Sequence, residues 1–369
     1  MADADVIVVG AGIIGAACAY FLTQAGARVV IVDPTAPGTV CTAACMGHLV
    51  VMDDSEAQFA LTAYSCRLWT DLAARLPRPA EYEPRGTLWV ASTREEMAIA
   101  EAKSAFYRAR GVEAHVVTQG EMAALEPALD SSLPGGLWVP GDSVLYATNA
   151  ARWLLDQSGT TVLREEVVAM GGGRATLDDG RDLEASVIVN AAGAAAPALT
   201  TGLPIEPRKG HLAITDRYPG VLTRQTLELG YLASAHGQAT ESVAFNIQPR
   251  ATGQMLIGSS REFVGFAPGV NRAIVGKMLE RAQRFVPCAR DWHVIRIWTG
   301  FRPCTPDNLP LIGPAPGDAT VWIAAGHEGL GITTSLATGR LLADRWAARD
   351  SAIDPVPFAV DRVAAGAHG

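Results

Sequence analysis

Apolar residues come in two periods along this chain, and the change from one to the other marks out its parts. Val6-Ile7-Val8-Val9 and, after Arg28, Val29-Val30-Ile31-Val32 are short continuous apolar runs closed by Gly10 and Asp33. Between them, the uncharged stretch from Ile13 onward has helix length. Short β-branched runs bounded by turn residues predict strands buried on both faces, as in a parallel sheet. A capping pair, Ser55 with Gln58, then precedes Leu61, Tyr64, Leu68, Leu72 and Leu76 at helical spacing until Pro77 ends the run. Thr87–Ala91 reads as a strand, Thr93 with Glu96 as the cap of a helix to about residue 110, and Thr118 with Glu121 as the cap of a short helix. A helix is expected over 147–156 and a hairpin over 176–183 with its turn at Asp179-Gly180. The very apolar strand Val187-Ile188-Val189-Asn190 then runs into Ala191-Ala192-Gly193.

From 204 to 303 the pattern is of strands at 212–215, 255–259 and 294–298 with one helix presenting Val270, Ile274, Met278, Ala282 and Phe285 on a face. That predicts an antiparallel sheet covered by a helix. The chain afterwards returns to its opening pattern: Val321-Trp322-Ile323-Ala324-Ala325 leads into Gly326-His327-Glu328-Gly329-Leu330-Gly331, again strand, glycine turn and helix start. No period of solenoid length repeats, and only the alanine-rich tail after Phe358 has low complexity.

At 369 residues the length points to two domains, and 49% apolar with 18% charged residues gives enough core to order the whole chain. The net charge of −8 without a basic block predicts no nucleic-acid or anionic-membrane partner, so a small ligand should carry the function. The uncharged stretch 6–27 mimics a membrane span or a secretory signal, but acidic residues precede it and its glycines sit at turn positions. A soluble cytoplasmic protein is expected. Cys18, Cys41, Cys45, Cys66, Cys288 and Cys304 form no C-x-x-C pair and no metal spacing with histidine, so reduced thiols and no metal site are expected.

The chemistry starts at Gly10-Ala11-Gly12-Ile13-Ile14-Gly15. Gly10 permits a tight turn, Gly12 removes the side chain that would block a pyrophosphate, and Gly15 lets the helix lie close on the strand. Asp33, at the end of the next strand, is placed to accept the hydroxyls of an adenosine ribose and would repel a 2′-phosphate. FAD or NAD is therefore favoured over NADP. The loop 34–47 offers Thr39, Thr42 and Gly47, small or hydroxyl-bearing residues suited to passing a ligand.

Four segments together resemble the FAD-dependent amine and D-amino-acid oxidase superfamily, especially its glycine oxidase, D-amino-acid dehydrogenase and hydroxyproline dehydrogenase branches. They are Gly10 to Gly15, Val189-Asn190-Ala191-Ala192-Gly193-Ala194, Thr299-Gly300-Phe301-Arg302-Pro303-Cys304-Thr305-Pro306-Asp307, and Gly326 to Gly331. The resemblance implies a Rossmann-type FAD-binding domain of α/β class (1–76, 142–203 and 304–369) and an inserted α+β antiparallel-sheet substrate domain (77–141 and 204–303). It implies cofactor contacts at Gly10, Gly12, Ile14, Gly15, Asp33, Thr42, Gly47, Val167, Ala192, Gly193, Arg302, Gly326, His327, Gly329, Leu330, Gly331 and Ile332. The helix opened by the C-terminal turn would face the flavin where negative charge gathers on reduction. Glu328 departs from the small or polar residue usual there, and its carboxylate would oppose reduction unless it points away.

On the substrate side, the resemblance gives Arg302 the role of a bidentate clamp on an amino-acid carboxylate, with an interdomain ion pair as the alternative. Tyr231 would add a hydroxyl to the same carboxylate, against the alternative of a core or surface tyrosine. His48 would lie over one flavin face, where a neutral imidazole orients an amine, against the alternative of an exposed loop histidine. His327 is expected to hold the flavin turn. Cys41 and Cys45 fall in the loop expected to pass the flavin, where apolar packing is the default reading and covalent attachment the alternative. The reaction implied is oxidation of a D-amino acid, an N-methyl amino acid or a proline or hydroxyproline type to an imine, by hydride transfer to flavin N5, without a required general base. A nicotinamide-dependent dehydrogenase and a flavin-carrying electron-transfer subunit are the rival readings. Met46-Gly47-His48 resembles the segment of relatives that work inside hetero-oligomeric dehydrogenase complexes, so partner subunits are expected.

Overall fold

The computed structural model describes residues 4–230 and 241–363. Tyr231 and the end of the alanine-rich tail lie outside these residues. The chain opens with β1 (Val6–Val9), α1 (Ile13–Gln24), β2 (Val29–Val32), β3 (His48–Leu49) and α2 (Glu56–Leu72). It continues through β4 (Thr87–Ala91), α3 (Glu96–Ala109), β5 (His115–Thr118), α4 (Gln119–Leu125), β6 (Gly135–Val139), β7 (Ser143–Val144) and α5 (Ala147–Ser158). Next come β8 (Thr161–Leu163), β9 (Val167–Gly171), β10 (Arg174–Leu177), β11 (Asp182–Glu184), β12 (Val187–Asn190) and α6 (Ala196–Leu199). The last third holds β13 (Glu206–Arg217), β14 (Gln225–Glu228), β15 (Glu241–Pro249), β16 (Gln254–Glu262), α7 (Arg272–Phe285), β17 (Val294–Cys304), β18 (Leu311–Ala315), β19 (Asp318–Ala325) and α8 (Gly331–Trp346).

The apolar runs at both ends of the chain meet in one six-stranded sheet, ordered β18-β19-β12-β1-β2-β8 and parallel except at the β18 edge. Its central strands are buried throughout because helices cover one face and the small antiparallel sheet β11-β10-β9 covers the other. On the helical side α1 and α8 touch backbone to backbone. A Cβ on Gly339 would overlap the carbonyl of Ala17, so only glycine fits at this crossing.

The second sheet has eight strands in the order β17-β13-β16-β15-β14-β4-β6-β5. Every pairing is antiparallel except β14 with β4, so the sheet is mixed at one seam where an all-antiparallel one was expected. One face carries the apolar cluster of Phe245, Ile247, Met255 and Ile257 against Met278 and Phe285 of α7. Three strands outrun the expected ranges because pairing carries the extended chain through polar and glycine positions. The Gly300-Phe301-Arg302-Pro303 segment consequently lies inside β17, paired with β13, rather than after a strand. Val270 is not on the helix: Asn271 accepts from the amides of Ala273 and Ile274 and starts α7 after it, leaving Val270 43% exposed. In α3 the cap is shared differently from expectation, Thr93 Oγ1 accepting from Glu96 N at 3.4 Å while the Glu96 carboxylate accepts from Ser92 N at 2.6 Å.

Candidate active site

Both glycine turns leave the C-terminal ends of parallel strands that flank β12, which pairs with β1 on one side and β19 on the other. A crevice at this edge is where open α/β sheets take ligands. The turns lie against each other: a Cβ on Gly331 would stand 4.0 Å from Ile14 Cδ1.

The three N-terminal glycines are there for different reasons. Gly10 has φ +111°, and a Cβ there would come within 2.6 Å of Ala191 O; a Cβ on Gly15 would overlap the Gly10 carbonyl. The chain's own packing explains both. Gly12, the N-cap of α1, is extended and would meet only Thr42 Oγ1, at 3.2 Å. Its missing side chain is left for a ligand to explain, and a pyrophosphate at the α1 N-terminus is such a ligand. Thr42 is built into the same corner, its hydroxyl accepting from Ile13 N at 3.0 Å. Asp33 is held beside the turn, Oδ2 accepting from Ala11 N at 2.6 Å and Oδ1 from Thr35 N at 2.6 Å. The donor set and the open position at Gly12 fit the ADP half of FAD.

The neighbouring β12 turn is fixed by Asn190, which the sequence showed inside its motif but without a role of its own. Its Oδ1 accepts from Ala192 N at 3.2 Å and its Nδ2 donates to Ala196 O at 3.0 Å, leaving Gly193 at φ +59° with open space around its Cα. Val167 is buried in the apolar cluster of Ile7, Val9 and Val32. Gly47 has a packing reason of its own, because a Cβ there would overlap the Leu145 carbonyl.

In the C-terminal turn, Gly326 has φ +83° and a Cβ there would press on Thr305 Cγ2 at 2.6 Å. His327 is 3% exposed, and its Nε2 lies 2.9 Å from Thr338 Oγ1, a hydroxyl that itself donates to Thr334 O at 3.0 Å. Nε2 therefore carries the proton, and burial pushes the imidazole down to about 3, so the ring is neutral. Gly329 and Gly331 are not demanded by packing: a Cβ on either would make ordinary contacts, at 3.6 Å to Arg302 and 3.5 Å to His327. Leu330 N closes the turn on His327 O at 3.0 Å, and Ile332 is buried in the helical core.

Glu328 has φ +47°, and its amide donates to Pro303 O at 2.8 Å, tying the turn to β17. Its carboxylate is turned to Arg208, 3.2 Å from Nη1, with the two side chains only 14% and 9% exposed. Burial pushes the Glu328 carboxyl up, but the guanidiniums of Arg302, Arg261 and Arg208 outweigh it and hold the group below the usual carboxylate range. It stands as an ionised counter-ion among arginines.

Arg302 reaches across β13. Its guanidinium lies over Gly210, where a Cβ would overlap it, and Nη1 donates to Ser260 O at 3.0 Å. Among the described residues no other hydrogen bond is recorded for this side chain, which has five N–H donors. Gly210 was not singled out by sequence reading, because its use depends on strand pairing: it stands opposite Gly300 on β17.

His48 is on a two-residue strand, not an exposed loop. Nδ1 bonds Gln225 Oε1, and Nε2 lies 3.2 Å from Asn246 Nδ2. Burial pushes the imidazole down to about 4 against the pull of those two hydrogen bonds, so the ring is neutral and both nitrogens are in use. Asn246 and Gln248 alternate with Phe245, Ile247 and Pro249 on β15, a signal visible in the sequence once the face is known. Among the described residues Asn246 Oδ1 and both polar atoms of the fully buried Gln248 have no hydrogen-bond partner. Cys45 donates to Thr42 O at 3.0 Å and burial pushes its thiol up to about 12, which keeps it from the thiolate form a covalent flavin link needs.

Known proteins share this architecture across nearly the full chain. Glycine oxidase of Geobacillus kaustophilus is 28% identical over 381 residues, covering 97% of both chains, and its crystal structure superposes with a TM-score of 0.88 over 98% of this chain and 99% of that one. Hydrogen cyanide synthase subunit HcnC of Pseudomonas aeruginosa is 28% identical over 418 residues, covering 97% of this chain and 96% of the relative. D-amino acid dehydrogenase of Methylobacterium nodulans is 30% identical over 306 residues, 77% of this chain and 68% of the relative. The family profile described as FAD dependent oxidoreductase matches residues 5–345, so this chain belongs to the FAD dependent oxidoreductase family.

Proposed function

We propose that the chain oxidises the carbon–nitrogen bond of an amino acid to an imine, the substrate being a D-amino acid, an N-methyl amino acid or a proline or hydroxyproline type. Family membership replaces the nicotinamide reading with FAD. The observation that carries the proposal is Arg302: a half-buried side chain whose guanidinium is seated over Gly210 and which lies beside the C-terminal turn, where a Cβ on Gly329 would stand 3.6 Å from it. The glycine oxidase and D-amino acid dehydrogenase relatives support the substrate class.

The FAD-binding segments are 1–76, 142–203 and 304–369, and 77–141 with 204–303 form the substrate side. Gly12 and the α1 N-terminus would hold the pyrophosphate, Asp33 the ribose, and the turn from Gly326 to Gly331 the flavin. Bound FAD would supply the acceptor for a hydride. Arg302 clamps the carboxylate and fixes the substrate's orientation; Tyr231 is assigned a second contact to that carboxylate from its sequence position. Arg208, with Arg302 and Arg261, offsets the Glu328 charge beside the site. With the amine neutral, its lone pair drives the reaction, so orientation in a dry site supplies most of the rate enhancement.

Anaerobic titration of the purified flavoprotein with D-amino acids, N-methyl amino acids and the proline and hydroxyproline isomers should bleach the flavin for at least one class. A yellow protein that none of them reduces would overturn the reading. Truncating one partner of a desolvated charge pair costs about 2 to 5 kcal/mol, so Arg302→Ala should lower kcat/KM by roughly 30-fold to several thousand-fold. Arg302→Lys should recover only part, since an ammonium keeps the charge and loses the fork. Wild type should prefer the acid over its amide; an Arg302→Ala enzyme that keeps that preference would place the carboxylate elsewhere.

We further infer that the chain works as a dehydrogenase with partner subunits. The likeness to a subunit, HcnC, over 97% of the chain supports this reading, as does Met46-Gly47-His48. Rapid peroxide formation by the isolated chain in air would contradict it.

A further inference from the structure

The hydrogen-bond chain that ends at Asn246 has only one consistent direction. Gln225 Nε2 lies 3.5 Å from the backbone carbonyl of Ser143, which only accepts, and 2.5 Å from Thr87 Oγ1. The amide nitrogen of Gln225 must face that side, so its Oε1 faces His48 and takes the Nδ1 proton. A neutral imidazole with its proton on Nδ1 has a lone pair on Nε2. The group of Asn246 that meets this lone pair must be its NH2, at 3.2 Å. What remains is Asn246 Oδ1: an acceptor on a residue 3% exposed, without a hydrogen-bond partner. A buried carbonyl oxygen left unpaired is expensive, and native sites keep one when a ligand completes it.

The sheet register says on which face this side chain lies. Asn246 stands opposite Gly258 on β16, where a Cβ would press on Leu212 Cδ2 at 2.9 Å and Met46 Sδ at 3.0 Å. Leu212 and Met46 belong to the face turned away from α7. Arg302 lies over Gly210, two residues before Leu212 on β13, and is bonded to Ser260 O, two residues after Gly258 on β16. Asn246 on β15 and the Arg302 guanidinium, which reaches from β17 to lie over β13, thus share one face, with β16 between β13 and β15. Two strand spacings across and two residues along put Asn246 and the strand position under the guanidinium about 12 Å apart, a span that one small amino acid with a hydrogen bond at each end fills once the two side chains take up the remainder.

Building on the amino-acid reading above, we propose that Asn246 Oδ1 accepts the N–H of the substrate's amine, and that His48 is a positioning residue which holds the Asn246 amide in this orientation through Gln225. An amide oxygen takes the N–H without removing the proton, and it leaves the nitrogen lone pair free to form the C=N bond. Arg302 and Asn246 then read the two ends of the α-amino acid group.

The test uses the FAD-loaded full chain and compares amine-bearing with amine-free ligands. Glycine, sarcosine, D-alanine and proline serve as substrates in anaerobic flavin reduction; acetate and propionate serve as carboxylates whose binding is read by calorimetry. Asn246→Leu should lower kcat/KM for the amino acid that reduces wild type by about 10- to 100-fold, the range for a hydrogen bond to a charged or polarised group, mostly through KM. Acetate and propionate should bind within about twofold of wild type. Asn246→Asp, which keeps an acceptor oxygen, should recover part of the loss. His48→Leu should reproduce the amine-specific loss only while Asn246 is present, so the double variant should be no worse than Asn246→Leu. An equal loss for amine-bearing and amine-free ligands, or no loss, overturns the Asn246 assignment while the amino-acid reading stands. A wild type left unreduced by all four amino acids and by the wider panel overturns both.

Discussion

Gly12 and Gly15 belong to the same motif, yet the structure gives them opposite tolerances. Gly15 is required by the Gly10 carbonyl, whereas Gly12 borders only the Thr42 hydroxyl. Gly12→Val should therefore give a folded but colourless protein whose melting temperature no longer rises with added FAD, since only a bound ligand shifts the folding equilibrium. A yellow Gly12→Val protein would mean that the pyrophosphate lies elsewhere. Two neutral histidines, His327 buried and His48 half-buried, set a pH dependence. His48 and His327 titrate near 6.5 when unfolded, but at about 4 and about 3 in the fold. Between those values the unfolded chain binds more protons, so stability is full above pH 6.5 and falls as the pH drops toward 4, by up to about 1.4 kcal/mol per pH unit for each ring. His327→Gln should flatten the slope of denaturation midpoint against pH between 6.5 and 5; an unchanged slope would mean that the ring is not held neutral.

At the scale of elements, β13 and β17 act as one device. β17 pairs with β13 so that the Arg302 guanidinium lies over Gly210, while Gly300 opposite makes room for Ala44. Gly210→Val should lift that head group and lower kcat/KM nearly as far as Arg302→Ala, while FAD content stays the same. Combined with Arg302→Ala it should add little, because both remove one interaction. Additive losses would show that Gly210 serves some other purpose. The two strands also show what could be read from sequence. β4 matches its expected range and α4 carries both halves of its capping box, because alternation and caps are local signals. The two glycine turns and Asp33 were legible for the same reason. Gly210, Gln225, Asn246 and Ser260 were not, since their roles arise from which strands become neighbours. The ends of β13, β16 and β17 were missed because tertiary pairing keeps arginine, glycine and proline in extended form against their local tendencies.

Over the whole molecule, segments from the two ends of the chain form a single sheet edge, and one continuous strand links that edge to the substrate side. β17 carries Arg302 and, one residue on, Pro303, whose carbonyl accepts from Glu328 N at 2.8 Å. On the proposed reading, the carboxylate clamp and the flavin turn are therefore tied through adjacent peptides of β17 and separate only if that bond breaks. A site built this way is a gauge. The protein, not the substrate, sets the length from the carboxylate to the carbon that gives up its hydride. Side chains of many shapes can pass such a gauge, but an added methylene between carboxylate and amine presents the wrong carbon. β-Alanine should then compete with the substrate and leave the flavin oxidised in anaerobic titration; bleaching at the rate of an α-amino acid would show that the spacing is not enforced.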